Sequence, residues 1–183
     1  LITVFDADCV PPADYLERVV PHFYGNDGAP AEDMAMVQAR WGFLNYDDGM
    51  LTMAQSMRLE AHRAAGGAVI SRLVGCVVAA GAGATWSARA VTAAGGGDAT
   101  AFLESTDLAL RAYCAGYQSK FLPHTVVMTE LPSTFAAYKS QQERWARGLA
   151  QIAQRHALGV LRVHGKPFWH RWYLFSAVAR DTM

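Results

Sequence analysis

Cysteine is scarce. The chain holds three, Cys9, Cys76 and Cys114, an odd number without zinc-ligand or redox-motif spacing. That excludes a disulfide-stapled secreted scaffold and favours a reducing compartment with buried thiols. Long apolar runs are missing too. The longest charge-free stretch, residues 73–88, is rich in Ala and Gly and falls short of the roughly 20 residues a membrane helix needs. No membrane span is therefore expected within these residues, and no signal peptide is visible. There is no initiating Met, and the first residues already read as a strand, so a fragment of a longer protein is expected. No internal repeat is present.

What charge exists is sorted. The net charge is zero over 183 residues. Residues 1–70 carry ten acids and four bases, a balance of −6, and residues 131–183 carry eight bases and two acids, +6. An acidic half and a basic tail suit a metal site on one side and phosphate or an anionic surface on the other. A nucleic-acid partner has little support, because the acidic half repels phosphate backbones.

The most informative stretch is the opening one. A short β-branched run ends in Asp6-Ala7-Asp8, and Pro11-Pro12 stops it. Residues i and i+2 of a strand point to one side, so the pattern predicts that Asp6 and Asp8 present their oxygens together at a strand's carboxyl end, where α/β sheets bind ligands. Such a pair suits Mg2+ or Mn2+ holding substrate phosphates; a plain solvated strand end fits the same residues.

Strand and helix patterns then alternate, which predicts an α/β fold. Helices are expected after Pro12 as far as Phe23, over residues 50–64, over 88–94, from Ser105 or Thr106 to Gly116, and from a Ser133 cap to about His156. Strands are expected over 34–41, within 76–86, over 117–122 up to Pro123, and over 126–129. The tail, residues 166–180, mixes Phe168, Trp169, Trp172, Tyr173 and Phe175 with His170, Arg171 and Arg180, the composition of an amphipathic membrane-interface segment.

Three segments now stand in order: Asp6-Ala7-Asp8, Glu104-Ser105-Thr106-Asp107-Leu108-Ala109-Leu110-Arg111, and Gln141-Gln142-Glu143-Arg144-Trp145. That order resembles the processive family 2 glycosyltransferases, the cellulose synthase and glucomannan-synthase-like polysaccharide synthases, with their D-x-D, T-E-D and Q-x-x-R-W signatures. The flanks agree: residues 37–45, Gly95-Gly96 and Glu130-Leu131-Pro132 look like the glucomannan branch. The likeness covers about residues 1–160.

The resemblance implies the C-terminal part of a GT-A, Rossmann-like catalytic domain over 1–160. Residues 161–183 would lead towards membrane helices outside this chain, in a multi-pass protein whose catalytic domain faces the cytosol. By the same resemblance, Asp6 and Asp8 hold Mg2+ or Mn2+ on the diphosphate of a nucleotide-sugar donor, UDP-glucose or GDP-mannose. Gln141 and Arg144 bind that diphosphate, Arg144 through a charge-assisted fork. Trp145 stacks on the acceptor sugar of a growing β-linked polysaccharide, and Gln38 and Trp41 line its path or sit in the core.

Two positions depart from the family pattern. Aligned on Asp107-Leu108-Ala109-Leu110-Arg111, the T-E-D triplet falls on Leu103-Glu104-Ser105, so the family's base position holds Ser105, which is no base at neutral pH unless another group activates it. Glu104 and Asp107 are the candidate substitutes. The glycine loop reads Ala80-Gly81-Ala82-Gly83-Ala84 where the branch tends to N-G-T-A-G. Two functions stay open: an inverting hexosyltransferase, impaired or not, and an inactive nucleotide-sugar-binding pseudo-enzyme or scaffold.

Overall fold

The computed structural model describes residues 1–61, 67–78, 81–163 and 165–180. Residues 62–66, where the sequence predicts the end of one helix, and Ala80 of the glycine loop lie outside the described residues.

Four strands form one sheet in the order β1-β3-β2-β4, with β1 at Ile2–Val4, β2 at Met34–Phe43, β3 at Ala84–Trp86 and β4 at Gln118–Thr129. β3 runs antiparallel to both its neighbours, whereas β2 and β4 are parallel. β2 is central, and its apolar run from Ala35 to Ala39 is buried on both faces, the pattern expected of an interior strand.

Pro123 breaks the pairing but not the strand. Leu122 pairs with Ala39 and Val126 with Arg40, so residues 123–125 bulge out of the ladder. Proline has no N–H to give to a ladder and sits at such irregularities. The two strands predicted around Pro123 are therefore one.

Tyr15–Val19 forms helix α1, which tightens into a 3₁₀ turn over Val20–Phe23. The sequence predicts one helix there, and Pro21 is the reason for the change. The remaining helices are α2 (Met50–Glu60), α3 (Ala68–Val74), α4 (Ala88–Ala93), α5 (Glu104–Cys114), α6 (Phe135–Leu161) and α7 (Phe168–Arg180). Within the predicted 76–86 strand, only Ala84–Trp86 pairs.

Two helix starts differ from expectation. Leu103 is the N-cap of α5, so Ser105 and Thr106 sit inside its first turn rather than capping it. α6 is capped by Thr134, whose hydroxyl accepts from Ala137 N at 3.3 Å, and it runs five residues past His156.

Val37 and Ala39 of β2 pack with Tyr15, Val19 and Phe23 on one face of the sheet, and Met36 packs with Leu108, Ala109 and Ala112 of α5 on the other. Leu110 and Tyr113 of α5, Ile152 and Val160 of α6 and Leu174 of α7 make a further core. The tail is thus anchored by Leu174 while Phe168, Trp169 and Trp172 face outward. No helix among the described residues is long and apolar enough to cross a membrane. The three thiols are free, and the expectation that all are buried fails at Cys114, which is exposed; burial of Cys76 pushes its thiol up to about 12.

Candidate active site

β1 ends at Val4, so Asp6 and Asp8 stand beyond the strand, in a turn closed by Cys9 N–H donating to Asp6 O at 3.0 Å. Their convergence comes from that turn and not from strand alternation. Val10 then pairs in both directions with Met128 of β4, at 2.8 and 3.0 Å. Carboxylate oxygens of Asp6 and Asp8 and the Sγ of Cys9 lie within 4.8 Å of one another.

Asp8 is also held from β4. Its Oδ2 accepts from Thr129 Oγ1 at 2.8 Å and from Glu130 N at 3.3 Å. Partial desolvation pulls its pKa upward, but these two donors outweigh it and leave the carboxyl below its ordinary value. The Cys9 thiol is pushed up by burial, so it is a neutral thiol at neutral pH.

The next residues lead to α6. Asn45 binds both backbone groups of Leu131, donating to its O at 2.9 Å and accepting from its N at 2.8 Å. Buried Leu131 packs with Phe43 and Leu59, and Trp41 and Trp145 pack against that cluster. The Asp8 anchor at Glu130 thus adjoins, through Leu131, the cluster against which Trp145 packs. Residues 141, 144 and 145 share one side of α6 at about 100° per residue. Arg144 is exposed, and Gln141 and Trp145 are half-buried. From the other side, Arg58 of α2 donates to Gln142 Oε1 at 2.8 Å.

α6 also holds the start of α5. Gly148 lies so close to Leu103 that a Cβ added there would overlap its side chain and stand 3.2 Å from Phe102 Cβ. One turn on, Gln151 accepts from Phe102 N and donates to Thr100 O, each at 3.0 Å. Arg155 binds Asp98 and Thr100 of the same strap. At the end of this strap Glu104 is exposed and Ser105 half-buried.

Asp107 points elsewhere. It is 2% exposed, and its oxygens meet His156 Nε2 at 2.6 Å and Arg111 Nε at 2.8 Å. Desolvation raises its pKa, and the His156 and Arg111 contacts overcome that to leave it lowered. The structure does not bring this carboxylate out beside Ser105; it spends it on joining α5 to α6.

Gln38 is fully buried, and both ends of its amide are engaged. Nε2 donates to Ala39 O and Ala82 O, both at 2.9 Å, and Oε1 accepts from Gly81 N at 3.0 Å. Trp41 Nε1 donates to the same Ala82 O at 2.7 Å. A Cβ on Gly81 would stand 2.6 Å from the Trp41 ring, and Gly83 has φ +74°, so both glycines are required at this approach. The loop also reaches β1 through Gly83 N donating to Val4 O at 2.9 Å. These two side chains thus shape the glycine loop behind the aspartate turn.

The description "Glycosyl transferase family group 2" matches residues 1–181. The chain belongs to that family. Glucomannan 4-beta-mannosyltransferase 1 of Oryza sativa subsp. japonica is 34% identical over 170 residues, 93% of this chain and 32% of its own length. Glucomannan 4-beta-mannosyltransferase 9 of Arabidopsis thaliana is 35% identical over 182 residues, 98% of this chain and 33% of its own length. The chain spans about a third of the length of these curated relatives. Among solved structures, the mannosyltransferase PcManGT of Pyrobaculum calidifontis, in complex with GDP-Man and Mn2+, superposes with a TM-score of 0.62 at 17% identity, covering 98% of this chain and 46% of that one. The fold of this family 2 glycosyltransferase chain is therefore GT-A.

The donor set fits a divalent cation: two ionisable carboxylates converge at a strand end on the surface, the hard oxygens that Mg2+ and Mn2+ take. Several supports of this site are invisible in the sequence. Thr129 and Gln151 are polar residues without a motif, and Asn45 closes a family-like flank that says nothing of its role; only their contacts reveal it. Gly148, a glycine inside a helical pattern, marks a close approach.

Proposed function

We propose that the full-length protein is an inverting hexosyltransferase that moves mannose from GDP-mannose to a growing β-linked polysaccharide. The glucomannan mannosyltransferase relatives and the GDP-Man bound to the structural neighbour favour this donor over UDP-glucose. The observation that carries the reading is the route from the Asp6–Asp8 turn through Thr129 and Glu130 to the Phe43–Leu59–Leu131 cluster, against which Trp145 of α6 packs; it supports a phosphate end and an acceptor end on one framework.

Asp6 and Asp8 would hold Mn2+ or Mg2+, which would supply the positive charge that a leaving diphosphate needs. Arg144 adds a charged fork to the same phosphates, with Gln141 beside it, and Trp145 offers its ring to the acceptor pyranose. Gln38 and Trp41 act indirectly, by fixing the glycine loop. Asp107 serves as a strut, which leaves Glu104 and Ser105 nearest the base position. Exposed Phe168, Trp169 and Trp172 beside Arg171 suit docking of residues 161–183 at a membrane surface, with the catalytic part in the cytosol.

Ser105 favours a second reading, a donor-binding pseudo-enzyme. Loss of a positioned base costs about 10²–10⁴-fold, and Glu104 projects about 100° away from Ser105 around the helix. Assaying Ser105→Asp in the full-length protein separates the two. Polymer synthesis rising by about 10² or more supports the base assignment. Unchanged synthesis with an active wild type removes Ser105 from that role. Mn2+-dependent donor binding without turnover in the wild type establishes the pseudo-enzyme.

A further inference from the structure

One stripe of α6 serves two purposes. At about 100° per residue, Arg144, Gly148, Gln151 and Arg155 fall within an arc of about 60°. Arg144 belongs to the signature at one end of the stripe. The other three hold the strap, residues 98–103, that leads into α5. Gly148 packs against Leu103. Gln151 accepts from Phe102 N and donates to Thr100 O, each at 3.0 Å. Arg155 donates to Asp98 Oδ2 at 2.8 Å and to Thr100 Oγ1 at 3.0 Å. A side-chain amide carries an acceptor and a donor on one flat group, so Gln151 meets the strap as a neighbouring peptide unit would.

The two helices do not need Gln151 to stay together. Asp107 joins α5 to α6 through His156 at 2.6 Å, and Leu110 and Tyr113 pack with Ile152 and Val160. Thr100 and Phe102 are exposed, so water can take the place of a lost amide. What Gln151 adds is the height of the strap along α6. Gly148 lies four residues from Arg144, about 6 Å along the axis, and Glu104 and Ser105 follow Leu103 directly. We propose that Gln151 is a positioning residue of the transfer reaction: its two bonds to the strap set where the Glu104–Ser105 segment stands relative to Arg144 and Trp145, and so how the acceptor lines up with the donor. This rests on the reading of the protein as a transferase. Gln151 acts through the strap and touches neither sugar. A misplacement of about 1 Å caused from a distance costs about 10²-fold in rate.

The test compares full-length wild type with Gln151→Ala and Gln151→Glu. The glutamate keeps an acceptor for Phe102 N–H and loses the donor to Thr100 O. The readings are Mn2+-dependent GDP-mannose binding, kcat for polymer synthesis, the melting temperature and amide hydrogen exchange over residues 98–106. Gln151→Ala should lower kcat by about 10²-fold, leave GDP-mannose affinity unchanged and speed exchange in residues 98–106 alone, with Gln151→Glu in between. An unchanged melting temperature shows that the fold is intact, and should Gln151→Ala unfold, Gln151→Glu carries the same readings. An unchanged kcat in both variants, or a loss of donor affinity equal to the loss in kcat, overturns the positioning role and leaves the transferase reading standing. A wild type that binds GDP-mannose without turnover overturns both.

Discussion

Thr129 Oγ1 donates to Asp8 Oδ2 at 2.8 Å across 121 residues of sequence. The bond ties the aspartate turn to the end of β4, and with Glu130 N it holds the Asp8 carboxyl below its ordinary pKa against partial desolvation. Replacing Thr129 with Val removes the donor and keeps the shape. Mn2+ affinity should fall about tenfold, as for lost outer-shell partners. The sign of the pH effect follows from the lowered pKa: cation binding needs the ionised carboxylate, so Thr129→Val should lose Mn2+ at a higher pH than wild type. Titrating Mn2+ binding against pH in the two proteins checks both.

Asp107 makes a second prediction, about stability. Its carboxylate is buried between Arg111 and His156, with Arg155 4.0 Å away. Asp107→Asn removes the buried carboxylate that half-buried Arg111 and His156 share and should cost about 1–3 kcal/mol. Its folded pKa lies below the ordinary aspartate value, so its contribution is fully present above that ordinary value and is lost as pH falls through the lower folded one. Urea midpoints from pH 7 down to 3 should show the wild type losing this contribution at the acid end and Asp107→Asn without that loss.

The contact between α6 and the start of α5 is tested at Gly148. A Cβ there collides with Leu103, and overpacking typically costs about 1–3 kcal/mol. Gly148→Val should lower the melting temperature and shift the Leu103–Glu104–Ser105 segment away from α6. The expected kinetic signature is a loss in polymer synthesis larger than the loss in donor binding. Equal stability in wild type and variant would contradict the contact.

Much of this was legible in the sequence, for physical reasons. β2 announced itself by the apolar run Met34 to Val37, and the α6 helix by the capping residues after Pro132. The family was readable because D-x-D and Q-x-x-R-W stand in its order in this chain. The bulge at residues 123–125 was not, because Pro123 signals a break while tertiary pairing on both sides restores the strand. The roles of Gln38 and Asp107 were hidden for a related reason. A buried amide satisfying a glycine loop and a buried carboxylate pairing His156 look, in one dimension, like polar residues waiting for a ligand. The turn that gathers Asp6 and Asp8 mimicked strand alternation, so their convergence was expected from the wrong geometry.

The central claim is that the aspartate turn and the late helix grip one sugar diphosphate. A double-mutant cycle on Mn2+-dependent GDP-mannose binding tests it most directly, with Asp8→Asn, Arg144→Ala and the pair in the full-length protein. Each single change should weaken binding by about tenfold, and the pair should fall short of additivity by at least about 0.5 kcal/mol, the lower bound for residues sharing a partner. Effects that add to within about 0.3 kcal/mol, as for distant independent sites, or an Arg144→Ala protein that binds like wild type, would contradict it.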